Sequence, residues 1–215
     1  MNNNAIDIIG DIHNYSINLK SREIFLHNYF GSGDSDNPGV EYKMSNIFIK
    51  NLRLLELKNK EHIVVHMHSV GGSWADGMAM YDAINMCDSY VTIISYGQSE
   101  SMSSIILQAA DCRILSKHSY FMAHYGSSAM YGDYLSAQNW AKYEQQICHT
   151  MLDIYSAKCV AGKFFKEKYM KPDAIKIKNF LSKKLKDGDW YMNAEEAVYY
   201  GFADKVAENW SNLTN

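Results

Sequence analysis

The chain has 215 residues, 47% of them hydrophobic and 21% charged, with a formal net charge of −3. A chain of that length folds as one domain and buries about 70% of the surface it exposes when unfolded, so it needs no disulfide or metal to hold it together. The composition excludes a disordered chain, the weak negative charge argues against a dedicated nucleic-acid binder, and two prolines exclude a proline-rich linker.

The N-terminus, MNNNAIDIIGDIH, has neither a basic segment nor a long apolar core, which argues against a signal peptide. No stretch reaches the ~18 apolar residues of a membrane span. Cys87, Cys112, Cys148 and Cys159 form no CxxC pair and read as buried thiols of a reducing compartment, so the expected location is the cytoplasm.

Residues 22–27 predict a short strand, and residues 31–39, GSGDSDNPG, a loop. From Met44 to Leu57 the apolar spacing fits an amphipathic helix, and His62 to Met67 predicts a buried strand. The turn Ser69-Val70-Gly71-Gly72 leads into a helix opened by Ser73 and Asp76 at capping-box spacing. A strand over 91–96, a tight segment from Gly97 to Glu100 and a helix from Ser101 to Ala110 follow. Residues 120–124 predict another strand, and residues 135–158 the longest helix. This alternation predicts an α/β fold around a mainly parallel sheet with right-handed crossovers. Between Lys158 and Lys186, ten lysines against two acids predict a solvated helical face, with Ile175, Ile177, Phe180, Leu181 and Leu185 packing on its other side.

Ser101 falls at a sharp strand-to-helix turn, where free N–H groups favour a developing negative charge. The same position suits a helix cap, and the residue types alone leave both roles open. The glycine pair after Val70 offers backbone N–H groups that can approach a substrate without a Cβ in the way. His124 ends a strand, and Asp187 and Asp189 precede the run WYMNAEEA. Two rival signals are weaker. Gly10-Asp11-Ile12-His13 after an apolar run resembles the opening of a metallophosphoesterase, but the other ligand motifs that two-metal chemistry needs are missing. His66 and His68 share a strand face without a third ligand, so no metal site is expected there.

Four motifs in order carry a stronger signal: Ser69-Val70-Gly71-Gly72, GQSESMS at 97–103, Phe121-Met122-Ala123-His124, and Asp189 followed by WYMNAEEAVYYGFADKV. Together they resemble the Clp protease proteolytic subunit family. The resemblance implies a ClpP/crotonase-type fold of stacked βαβ units, a single domain over residues 1–215. Residues 125–158 would form the handle strand and helix that join rings, and residues 1–15 a divergent segment where the family gates its axial pore. It implies a serine endopeptidase acting on unfolded polypeptides, with Ser101 as nucleophile, His124 as general base and Asp189 orienting the imidazole. The N–H groups of Gly72 and Met102 would form the oxyanion hole, with Ser69, Val70 and Gly71 beside the extended peptide.

The same resemblance implies no cofactor and no metal, and neither a nucleic-acid nor a membrane partner. It implies a homo-oligomer, a heptameric ring or double ring, with Tyr131, Tyr134, Trp140, Tyr143 and Met151 at the interface, fed by an AAA+ unfoldase. Val70 departs from the family's proline, Ser99 and Glu100 from alanines, and Ser103 from a glycine. Glu100 is expected to place a carboxylate beside the nucleophile. These departures resemble those of a divergent, phage-type member of the family, and they leave a non-catalytic scaffolding subunit as the rival reading.

Overall fold

The computed structural model describes residues 3–26 and 39–209, with side chains from residue 8 onward, so the 31–39 loop lies outside the described residues except for Gly39. In chain order the elements are α1 (Asn3–Tyr15), β1 (Ile17–Asn18), β2 (Glu23–Leu26), α2 (Tyr42–Lys58), β3 (Ile63–Ser69), α3 (Trp74–Asn85), β4 (Val91–Glu100) and α4 (Met102–Leu107). They continue with β5 (Cys112–Ser116), β6 (Tyr120–Ala123), α5 (Tyr134–Cys159), α6 (Lys163–Lys168), α7 (Ala174–Lys184), β7 (Trp190–Asn193), α8 (Ala194–Tyr200) and β8 (Lys205–Ala207). The strands form one sheet in the order β1-β2-β3-β4-β5-β8, with β6 on β4 and β7 on β6. Pairing is parallel except for the antiparallel β1 and β7, as the alternating sequence pattern predicts. Ile63, Val64 and Val65 of β3, Ile93 and Ile94 of β4, and Ile114 and Leu115 of β5 are consecutive apolar residues because the main core covers one sheet face and a smaller cluster around Ile94, Ile114 and Ala207 sits on the other.

β4 organises the sheet. Its first half, Thr92 to Ser95, pairs with β5, whereas Gln98 to Glu100 pair with β6. Between the halves Gly97 sits at φ +61, and the register against β3 slips from Met67↔Ser95 to Ser69↔Ser99. The tight segment expected at Gly97 to Glu100 is therefore strand: the glycine lets the backbone swerve without ending. The sheet forks here, and β6 enters beside the last residues of β4.

Other expectations are corrected. The apolar run before Gly10-Asp11-Ile12-His13 lies in α1, not in a strand, which removes the metallophosphoesterase reading. Within the single chain, residues 124–133, where the handle strand is expected, belong to neither strand nor helix and pair with no strand among the described residues. In the lysine-rich stretch Ile177, Leu181 and Leu185 are buried as expected, while Ile175 is exposed.

Buried Arg113 on β5 locks the C-terminal segment to the core. Its Nε donates to Asp204 Oδ2 at 3.0 Å, its Nη2 bonds Asp204 Oδ1, and its Nη1 donates to Gln108 Oε1 at 2.7 Å and Gly201 O at 2.9 Å. Gln108 in turn donates to the carbonyls of Ser104 and Phe202, so α4 is tied to the chain after α8. Arg113→Met is expected to cost about 3 kcal/mol in chemical denaturation, because Asp204 and Gln108 lose their shared partner.

Glu56, buried at the end of α2, accepts from Asp88 N–H at 2.6 Å, Lys60 at 3.0 Å and Arg53 at 2.8 Å. The Asp88 N–H first, then Lys60, hold its carboxyl down from an ordinary 4.5 to about 2, against the opposing effect of burial. As pH falls the unfolded chain takes up this proton first. The stabilisation is therefore full above about pH 4.5 and lost as pH falls towards about 2. Acid titration of unfolding should show this slope, and Glu56→Gln should remove it.

Candidate active site

Ser101 stands between β4 and α4 at φ +51, in the left-handed region that a residue with a Cβ seldom occupies. Its N–H donates to Met122 O at 3.0 Å across the fork, and Ser104 N–H donates to its carbonyl at 3.0 Å. It occupies the N-cap position of α4, yet its side chain makes no capping bond. Instead Oγ lies 2.7 Å from His124 Nε2. The capping role that the sequence left open is thus not the one the hydroxyl plays.

His124 directly follows β6, and Asp189 directly precedes β7. The antiparallel register Ala123↔Trp190 sets the two side by side, with His124 Nδ1 3.3 Å from Asp189 Oδ1. Asp189 is half exposed, at 52% of its side-chain surface, so this contact is partly screened by solvent. Asp187 lies in the short 3-10 turn Leu185–Asp187 and makes no contact with His124.

Beneath Ser101 runs the glycine turn. Gly71 has φ +92, and a Cβ there would come 2.6 Å from Glu100 O and from Ser101 Cβ. Val40 bridges this turn in parallel, taking a bond from its own N–H to Gly71 O and accepting Ser73 N–H at 2.8 Å. Strand geometry then turns Gly72's own N–H and C=O away from Val40, to the side of the cleft it lines. Gly71 also abuts Met102 N, since a Cβ on it would lie 2.8 Å from that atom. Neither the Gly72 nor the Met102 N–H donates to another described residue.

The serines that depart from the family pattern are coupled. Ser103 Oγ donates to Ser69 Oγ at 2.7 Å, Ser69 Oγ accepts Gly71 N–H at 3.2 Å, and Ser99 Oγ reaches Ser103 O at 3.5 Å. Ser104 Oγ bonds Ser101 O and the hydroxyl of fully buried Tyr155, whose phenol burial pushes well above its ordinary range. Glu100 does not line the cleft beside Ser101: its carboxylate accepts from Gln98 at 3.4 Å.

The cleft over Ser101 has a volume of about 550 Å³. One wall comprises Gly72, Trp74, Met102 and His124, and the other comprises Trp140, Tyr143, Glu144 and Ile147 of α5. Ser69, Val70 and Gly71 do not line it: Ser69 is buried in the serine network and Gly71 is spent on Val40 and Ser101. Trp140, Tyr143 and Met151, expected at an oligomer interface, line the cleft within the single chain. Sequence reasoning missed Glu144 and Ile147, although the 140, 144, 147, 151 spacing marks one helical face. Tyr125, next to His124, is held by its hydroxyl donating to Ser182 O at 3.2 Å. His66 is structural, stacked 4.8 Å from the Phe25 ring with Nδ1 2.9 Å from the Tyr96 hydroxyl. Among the described residues, no group of three or more His, Cys, Asp or Glu is placed to hold a metal ion.

The Clp protease family pattern matches residues 13–210. The chain belongs to the Clp protease family. It is similar to the "ATP-dependent Clp protease proteolytic subunit" of Deinococcus radiodurans, 28% identical over 197 residues that cover 90% of this chain and 84% of that relative. The protein of the same name from Carsonella ruddii is 26% identical over 196 residues, covering 89% of this chain and 87% of that relative. Family and relatives place the chain among ClpP-type proteases. Among the described residues no helix is long and apolar enough to cross a membrane.

Gly71→Ala tests the elbow. The left-handed backbone and the clash against Ser101 should together cost about 2–4 kcal/mol, read by thermal unfolding. Reactivity at Ser101 should fall further than in a Gly126→Ala control, where φ is +81 but a Cβ meets nothing within 4 Å.

Proposed function

We propose that this chain is a serine endopeptidase using Ser101, His124 and Asp189. The observation that carries the reading is the 2.7 Å approach of a strained, non-capping Ser101 hydroxyl to His124 Nε2. The hydroxyl donates its proton to Nε2 as Oγ attacks the peptide carbonyl, and Asp189 stabilises the imidazolium through Nδ1–H. The N–H groups of Gly72 and Met102 receive the oxyanion, a contribution of about 3 kcal/mol to the barrier. His124 then protonates the leaving amine, and water releases the acyl group by the same steps in reverse. An extended peptide pairs from Gly72 onward, not along Ser69 to Gly71. Backbone pairing of this kind suits unfolded polypeptides.

The assembly belongs to the same proposal. Tyr131, just before α5, and Tyr134 and Leu135 at its start are exposed within the chain, and residues 124–133 pair with no strand among the described residues. Both features suit a heptameric ring or double ring in which a second copy covers them. The relatives' name, ATP-dependent, supports an AAA+ unfoldase as partner, and the free cysteines suit the reducing cytoplasm as the place where the two meet.

A fluorophosphonate should label the wild-type chain at Ser101, and Ser101→Ala should lose about 10⁶-fold in turnover of an unstructured peptide. Asp189→Asn should lower kcat about 10⁴-fold with the fold intact, by holding the wrong imidazole tautomer, while Asp187→Asn changes it less than about twofold. An unlabelled wild-type chain would instead support a scaffolding subunit, and a monomer in light scattering at every salt concentration would overturn the ring.

A further inference from the structure

We propose that Glu144 makes the cleft selective for substrates with a basic side chain, lysine or arginine, next to the scissile bond, an inference that rests on the peptidase reading above. Glu144 is half-buried on the face of α5 that carries Trp140, Ile147 and Met151, and among the described residues it is the one carboxylate lining the cleft. It makes no hydrogen bond or ion pair with any described residue. His124, on the opposite wall, is engaged by Ser101 and Asp189. A half-buried carboxylate beside aromatic and aliphatic side chains, with no counter-charge among the described residues, gains from a cation brought to it.

The walls suit the rest of such a side chain. Trp140 and Tyr143, with ring centroids 5.6 Å apart, and Ile147 present apolar surface for a four-carbon or guanidinium-bearing stem. A purely apolar substrate residue would cover Glu144 and leave it unpaired, and an acidic one would meet a like charge. The selectivity is thus built from attraction and exclusion together.

The test uses the full-length protein and matched peptides carrying arginine, norleucine or glutamate at one position. Cleavage sites are mapped by mass spectrometry and kcat/KM is measured for each peptide. Equilibrium binding of the same peptides to Ser101→Ala supplies a readout independent of turnover. Arginine should exceed norleucine by about fivefold, the scale of one partly exposed ion pair, in both measurements, with glutamate lowest. Glu144→Gln should bring the arginine-to-norleucine ratio close to one, Glu144→Lys should invert the arginine-to-glutamate order, and added salt should compress the wild-type ratio. Equal or apolar-favouring ratios in wild type, or a basic preference that survives Glu144→Gln, would overturn the proposal. Cleavage without basic preference sinks this inference alone. A Glu144-dependent preference in binding without any cleavage sinks the peptidase reading and keeps the selectivity.

Discussion

The left-handed turn at Ser101 is the constraint on which the rest of the site depends. A serine at φ +51 costs about 1–3 kcal/mol, and it persists because the surroundings leave it no alternative. The Met122 carbonyl holds its N–H, the Ser104 N–H and hydroxyl hold its carbonyl, and Gly71 fills the space under its Cβ. Relaxing the turn would break all three at once. The outcome is a hydroxyl that cannot fold back onto α4 and is presented to His124.

That turn is possible because β4 outlasts the lower sheet. Gly97 redirects the strand, and β6 fills the space opened beside it, carrying the residue before His124 into register with the one after Asp189. The anchoring continues below: Tyr155, packed edge-on to Phe202 at 5.3 Å, holds Ser104, and Gln108 passes the load to Arg113 and Asp204. Residues near 101, 124 and 189 meet because a polar scaffold from α4 to the C-terminal segment fixes where each strand ends.

The alternation of elements, the turn at Ser101 and the histidine after a strand were legible because each is a local pattern of a few residues. What was illegible depended on partners distant in sequence. Gly97 followed by polar residues read as a strand ending, since the edge it goes on to pair with is β6. Arg113 in the middle of CRILS hid β5, because a buried arginine is tolerable only where Asp204 and Gln108 wait for it. Asn193 and Glu196, a full capping box on α8, were readable from spacing and were missed. The α5 stripe was visible as an apolar face, but its spacing could not say whether a second copy or the chain's own cleft lay opposite. Glu100 was misplaced because strand alternation sends its carboxylate towards Gln98.

The fork in the sheet also divides the molecule's resistance to opening. β6 and β7 reach the main sheet through Gln98, Ser99 and Glu100, whereas β3 grips β4 along most of its length. Fluctuations that peel this strand pair away carry off the histidine and its carboxylate together and release the Ser101 N–H from Met122 O. Amide exchange in 120–123 and 190–193 is then governed by a sub-global unit cheaper to open than the body of the fold. The approach of Ser101 to His124 in such a molecule is lost on warming before its secondary structure is.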